Sequence, residues 1–199
     1  MTFPNETDRL ILVTGPARSG KSEWAEQVVD WLGQQTGEPI TYIATAQIDP
    51  ADSEWQTRIL RHQQRRPPDW QTQHVPIQLA VAIRSMTGCL LVDSLGTWLA
   101  NLLEQDENSW TQTSQDLLHS FSETEARVVL VAEETGWGLV PAYPAGRLFR
   151  DRLGQLTRQI GGLAQPVYLV TGGHVLNLSQ LGRVLPNSRS VPRPVPPGS

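Results

Sequence analysis

Gly15, Gly20, Lys21 and Ser22 stand at the spacing G-x-x-x-x-G-K-[ST], inside the run Ile11-Leu-Val-Thr-Gly-Pro-Ala-Arg-Ser-Gly-Lys-Ser22. An apolar strand, a glycine-flanked loop and a helix opening at Lys21 make a phosphate-binding loop. N–H groups of the loop and of the first helical turn have no partner within the helix, and the helix dipole is positive there. A polyphosphate supplies both the missing acceptors and the negative charge. Gly15, Pro16, Ala17, Arg18, Ser19, Gly20, Lys21 and Ser22 are therefore the first nucleotide-binding candidates. Lys21 is placed to reach the β- and γ-phosphates, and the Ser22 hydroxyl to ligate Mg²⁺.

Such a loop needs a metal partner, usually an acid at the end of another buried strand. Asp93 ends the apolar run that starts at Cys89, and Glu133-Glu134 end the run that starts at Val128. Asp93 reads as the metal partner, with a helix cap as its competing role. Successive strand residues face opposite sides, so Glu133 and Glu134 do not both reach one metal. His62 shares a helix face with Trp55 and Ile59, and Arg58, Arg65 and Arg66 lie three or four residues from it. Guanidinium groups push a nearby imidazole toward its neutral, nucleophilic form and clamp phosphates. From spacing alone, however, His62 reads as a surface or interface histidine near a helix C-terminus. Arg147, Arg150 and Asp151 share a helix surface: a substrate clamp, an intersubunit ion pair or, by default, a solvated face. His74, His119 and His174 show no metal-ligand spacing, so no zinc site is expected.

The elements that must carry these residues alternate. Apolar runs predict strands near Leu10–Thr14, Thr41–Ala46, Cys89–Leu95, Val128–Glu134 and Pro166–Thr171. The first helix runs from Lys21 to Trp31 or Leu32, with Gly33 as its stop. Asp49 and Pro50 open a second helix that reaches Arg66, where Pro67-Pro68 ends it. Further helical patterns cover Gln78–Ser85, residues 96–105 and 112–123, and about Ala145 to Ala164, the last after a glycine-rich loop at residues 135–141. Solid apolar strands alternating with helices predict an α/β domain, its mostly parallel sheet covered on both faces. Functional residues then gather at the carboxyl ends of the strands. Residues 9–183 form this one domain, residues 1–8 a flexible polar lead-in, and residues 184–199 a Pro-rich mobile tail.

Composition narrows the partners. The chain of 199 residues carries a net charge of −4, which gives no general reason to bind nucleic acid or an anionic membrane. Its single cysteine, Cys89, lies in an apolar run and reads as a buried, inert thiol. No apolar run approaches the length of a membrane span, and the first residues lack a signal-peptide core, so a cytoplasmic protein is expected.

The motifs also form an ordered series. After the phosphate loop come Tyr42-Ile-Ala-Thr-Ala, Arg58-Ile-x-x-His62-x-x-x-Arg66-Pro-x-x-Trp70-x-Thr72 and Leu91-Val-Asp93-Ser-Leu-Gly-Thr-Trp-Leu-x-Asn101. Glu134-x-Gly-x-Gly-Leu-Val-Pro141 and Arg147-x-x-Arg150-Asp151 complete it. This series, over about residues 10–171, closely resembles the bifunctional adenosylcobinamide kinase/adenosylcobinamide-phosphate guanylyltransferase family of cobalamin biosynthesis. The resemblance implies a P-loop NTPase fold of the RecA type and, typically, a homotrimer. It implies phosphorylation of the corrinoid's aminopropanol hydroxyl by GTP or ATP, then transfer of GMP from GTP through a guanylylated histidine. His62 matches that histidine, which reverses the reading from spacing. Ile43, Ala44, Thr45, Gln63, Gln64, Arg65, Arg66, His74 and Asp93 match positions that contact nucleotide. This chain departs from the family at Pro16, in place of the usual second loop glycine. It departs again at His74, where an acid is typical, and at Glu133, where an asparagine is. The alternatives to the two-step enzyme are a guanylyltransferase alone or a GTP-binding switch without covalent chemistry.

Overall fold

A computed structural model describes residues 3–47 and 66–185 of the chain. Strands β1 (Leu10–Gly15), β2 (Ile40–Ala44), β3 (Gln71–His74), β4 (Cys89–Asp93), β5 (Arg127–Glu133), β6 (Val167–Thr171) and β7 (His174–Asn177) form one sheet in the order β3-β2-β4-β5-β1-β6-β7. All pairs are parallel except β6 with β7. The described helices are α1 (Lys21–Thr36), α2 (Leu79–Ser85), α3 (Leu95–Asn101), α4 (Glu107–Glu123), α5 (Pro144–Gly161) and α6 (Leu178–Leu181).

Period-two alternation sends each central strand to two cores. On β5, Val128, Leu130 and Ala132 face one side, with Leu79, Ile83, Trp98, Leu117 and Leu156 of the covering helices. Val129 and Val131 face the other, against Trp24, Val28 and Leu32 of α1. Strands covered on both faces need apolar residues at every position, which is why β4 and β5 read as solid runs. The parallel sheet covered on both faces is thus as expected. In it β5 lies between β1 and β4, so the phosphate-loop strand and the strand ending at Asp93 flank a third. That is the RecA-type arrangement of the P-loop NTPase fold.

Beyond a helix over 112–123 that opens earlier, at Glu107, one over 96–105 that ends at Asn101, and the short added helix Leu178–Leu181, the elements differ from expectation in three instructive places. Helix α1 does not stop at Gly33 but runs to Thr36, and Gly37 caps it with its N–H on the Gly33 carbonyl. Gly33 is instead a buried packing glycine, where a β-carbon would collide with Ile40. Strand β3 lies in a stretch that reads as polar, because it is exposed throughout and carries no apolar alternation. Strand β7 follows Gly172-Gly173, both at positive φ (58° and 76°), a two-residue hairpin turn that glycine makes without strain. At the start of the described chain, Phe3 stacks on Trp31 and tilts against Trp24, and the Glu6 carbonyl accepts from Arg127. Cys89 is fully buried, and burial, helped by the Glu38 charge, pushes its thiol up to about 11. The helix expected to reach Arg66, with Arg58, His62, Gln63, Gln64 and Arg65, lies outside the described residues, as does the tail beyond Leu185.

Candidate active site

Register sets the site. Gly15 pairs with Glu133 across β1 and β5, and Ala44 pairs with both Asp93 and His74 across β4 and β3. The parallel strands therefore deliver these residues to one rim, at their carboxyl ends. A cleft of about 510 Å³ opens there. One wall is Arg18 to Ser22 of the phosphate loop; the other carries Tyr42, Arg66, Thr72 and His74; Asp93 and Glu133 are also in its lining.

The loop is held open by its own backbone. Arg18 and Gly20 both lie in the left-handed region, with φ of 58° and 91°. Lys21 is almost fully buried, and its ammonium donates to the Pro16 carbonyl at 3.3 Å. Pro16 thus lacks a rim N–H, but its carbonyl accepts from both Lys21 and the Ser19 N–H. The Ser19 hydroxyl is buried in the cleft wall with no hydrogen-bond partner among the described residues. An orphaned hydroxyl is costly unless an acceptor arrives, and a phosphate oxygen is such an acceptor. A β-carbon on Gly15 would collide with the Val170 carbonyl, so no larger residue fits at the loop's entry.

Asp93 is not the helix cap. Ser94 is: its hydroxyl accepts from the Thr97 N–H, while the Thr97 side chain returns to the Ser94 N–H. Asp93 is left facing the cleft. Its Oδ1 accepts from the Ser22 hydroxyl at 3.4 Å and its Oδ2 from the Tyr42 hydroxyl at 2.9 Å. Serine hydroxyl and carboxylate together are hard oxygen donors of the kind Mg²⁺ takes, with phosphate and water completing its shell. Among the described residues no cluster of three or more His, Cys, Asp or Glu could hold a metal, so a site made of protein ligands alone is not formed there. This donor set fits a nucleotide-bound Mg²⁺.

Glu133 and Glu134 diverge, as strand alternation requires. Glu133 accepts from the Ser94 hydroxyl and, at 2.9 Å, from the Gly96 N–H, pinning the start of α3. Glu134 turns to the Gly136 N–H. A β-carbon on Gly96 would collide with the Glu133 carboxylate. Gly96→Ala is therefore expected to push Glu133 away, lower stability by about 1–3 kcal/mol, and weaken nucleotide binding. Urea midpoints and a fluorescent-nucleotide titration check both effects.

Not every sequence candidate lines the cleft. Of Ile43, Ala44 and Thr45, only Ala44 does; Ile43 is in the core, and Thr45 is buried against Ser94. Gly15, Pro16 and Ala17 form the loop's stem rather than the cleft lining. Arg147 donates to the Pro141 and Ala142 carbonyls and so staples the loop before α5, while Arg150 and Asp151 pair with each other at 3.6 Å. Tyr42 and Thr72 join the site although motif spacing assigns neither of them a role. Tyr42 carries a signal: it is a polar-tipped residue in a strand that ends two positions later at the functional rim.

The family model for cobinamide kinase / cobinamide phosphate guanyltransferase matches residues 11–178. The chain belongs to this family. It is 39% identical over 166 residues to the bifunctional adenosylcobalamin biosynthesis protein CobP of Pseudomonas aeruginosa, covering 81% of this chain and 92% of that one. It is 35% identical over 182 residues to the bifunctional adenosylcobalamin biosynthesis protein CobU of Escherichia coli, covering 82% and 96%. Among solved structures, the flagellar accessory protein FlaH of Methanocaldococcus jannaschii superposes with a TM-score of 0.46 at 12% identity, over 87% of this chain and 76% of that one. Membership in the cobinamide kinase / guanyltransferase family makes the chain a nucleotide-using transferase of cobalamin biosynthesis, as the motif series implies.

Proposed function

We propose that this chain phosphorylates the aminopropanol hydroxyl of adenosylcobinamide with ATP or GTP, then joins GMP to that phosphate. In the first step the phosphate loop holds the triphosphate, and Lys21 offsets charge on the β- and γ-phosphates as the corrinoid hydroxyl oxygen bonds the γ-phosphorus, the P–O bond to the β-phosphate breaks, and the nucleoside diphosphate and the hydroxyl proton leave. In the second step a neutral His62 nitrogen attacks the α-phosphorus of GTP. An N–P bond forms, the P–O bond to pyrophosphate breaks, and pyrophosphate leaves. An oxygen of the corrinoid phosphate then attacks the same phosphorus. The N–P bond breaks, yielding adenosylcobinamide-GDP and restoring the imidazole. Ser22 and Asp93 would hold Mg²⁺, which would supply Lewis-acid neutralisation of phosphate charge when bound.

The carrying observation is one cleft in which Lys21, Ser22 and Asp93 meet Arg66. Arg66 follows His62 by four residues. Four residues of extended chain span at most roughly 14 Å, so connectivity ties His62 to Arg66. Gln63, Gln64, Arg65 and His74 serve as further nucleotide contacts on this proposal. The enzyme works in the cytoplasm as a homotrimer, without nucleic acid as a partner. The family resemblance supports the trimer, and the exposed Trp137, Leu139 and Tyr143 are compatible with a contact between copies. No helix among the described residues is long and apolar enough to cross a membrane.

Incubation with adenosylcobinamide and ATP, followed by GTP, tests the assignment by chromatography of the corrinoids. Adenosylcobinamide phosphate should appear first, and its GDP derivative, with pyrophosphate, only after GTP. Turnover of the phosphate alone would leave a guanylyltransferase without the kinase step. No corrinoid product at all would leave a nucleotide switch.

A further inference from the structure

Tyr42 presents two different groups to two different parts of the cleft. Its hydroxyl donates to Asp93 Oδ2 at 2.9 Å, while the other oxygen of that carboxylate receives the Ser22 hydroxyl. Its ring carries the Arg66 guanidinium, 3.3 Å from the ring centroid. Arg66 also donates to the Thr72 hydroxyl at 3.2 Å, so the cation is fixed at a second point on β3. Only 4% of Tyr42 is exposed, and the residue packs in the core under α1 together with Trp70. The ring therefore cannot swing aside without disturbing that core.

A carboxylate that ligates a metal loses affinity when the group orienting it is removed, by roughly 10–100-fold. A guanidinium stacked on a desolvated ring is held by a separate, purely aromatic interaction. We propose that Tyr42 is a dual positioning residue: its hydroxyl aims Asp93 at the nucleotide-bound Mg²⁺, and its ring holds Arg66 against the opposite wall of the same cleft. One buried side chain thereby sets the spacing between the metal end of the nucleotide site and its β3 side. The inference rests on the Mg²⁺-nucleotide assignment made above for Ser22 and Asp93.

The two halves separate by substitution. Tyr42→Phe removes the hydroxyl and keeps the ring; Tyr42→Leu removes both. Fluorescent GTP is titrated onto each full-length protein with Mg²⁺ and again with EDTA, after circular dichroism confirms folding. In wild type, Mg²⁺ should tighten binding. In Tyr42→Phe that gain should shrink by roughly 10–100-fold, while binding in EDTA stays within about threefold of wild type. Tyr42→Leu should lose the gain and also bind more weakly in EDTA, by roughly two- to thirtyfold, because Arg66 has lost its platform. A Tyr42→Phe protein that keeps the full Mg²⁺ gain, or that loses EDTA binding as Tyr42→Leu does, overturns the proposal. If Tyr42→Leu fails to fold, the Tyr42→Phe arm decides alone. A wild-type protein that gains nothing from Mg²⁺ overturns the metal assignment of Ser22 and Asp93 themselves, and the Asp93 half of the proposal with it.

Discussion

His62→Ala is expected to abolish guanylylation while leaving phosphorylation of adenosylcobinamide intact. The two reactions ask for different things. Phosphoryl transfer needs positioning and charge neutralisation, which the proposed mechanism assigns to the phosphate loop and its acid partner. Exchange at the α-phosphate by two displacements needs a nucleophile that becomes covalently loaded, and alanine offers none. Loss of a covalent nucleophile from a working site costs roughly 10⁴-fold or more in turnover. Formation of adenosylcobinamide-GDP should fall by that factor, adenosylcobinamide phosphate should accumulate, and the phosphorylation rate should stay within about threefold of wild type. Separate chromatographic assays of the two products make the comparison. Loss of both activities in a folded His62→Ala protein would contradict this division of labour.

Lys21→Ala should damage both steps. The residue is 8% exposed, and its ammonium donates to the Pro16 carbonyl within the loop. On the proposed mechanism, a triphosphate would let that ammonium exchange a neutral carbonyl for anionic phosphate oxygens, a stronger contact. Removing one preorganised charge-stabilising donor costs roughly 10²–10³-fold in turnover. Nucleotide affinity falls as well, because Lys21 binds the ground state too. Lys21→Arg should not rescue activity: a planar, longer guanidinium does not fit where a compact ammonium is packed beside Pro16. Stability without ligand should change little, since the loop keeps the bond from the Ser19 N–H to the Pro16 carbonyl and that from the Glu134 N–H to the Gly15 carbonyl. Phosphorylation within tenfold of wild type in Lys21→Ala would mean the loop does not hold the transferred phosphate.

Legibility of the fold tracks burial. β1, β4 and β5 sit in the centre of the sheet, so their apolar runs and the residues at their ends, Gly15, Asp93 and Glu133, can be placed from sequence. β3 is an edge strand written Gln-Thr-Gln-His, and an edge exposed to solvent leaves no hydrophobic pattern to read. The same edge brings Thr72 and His74 to the cleft, so part of the site is hidden with it. Gly33 and Gly37 show a different limit. Both are glycines near a helix end, and only the close approach of Ile40 separates a packing glycine from a capping one.

The chemistry is legible where a motif states it and opaque where a contact must be built. Lys21 and Ser22 follow from spacing alone. Asp93 as cleft acid rather than cap requires seeing Ser94 and Thr97 form the capping box. Tyr42 requires the geometry: its place near the end of a strand hints at the rim, but Tyr-Ile-Ala-Thr-Ala does not say that its hydroxyl reaches Asp93 on β4 and its ring Arg66 ahead of β3. The role proposed for His62 rests on the ordered motif series, and its spacing alone points elsewhere.

The most direct measurement is a chase of the covalent enzyme. Protein is incubated with Mg²⁺ and GTP labelled at the α-phosphate, freed of nucleotide by desalting, and then given adenosylcobinamide phosphate. The bound label should be acid-labile and alkali-stable, as a phosphoramidate is, and absent from His62→Ala. On addition of the corrinoid phosphate it should leave the protein and appear in adenosylcobinamide-GDP. A wild-type protein that never takes up label, or whose label does not pass to the corrinoid, would contradict the guanylyl-histidine mechanism.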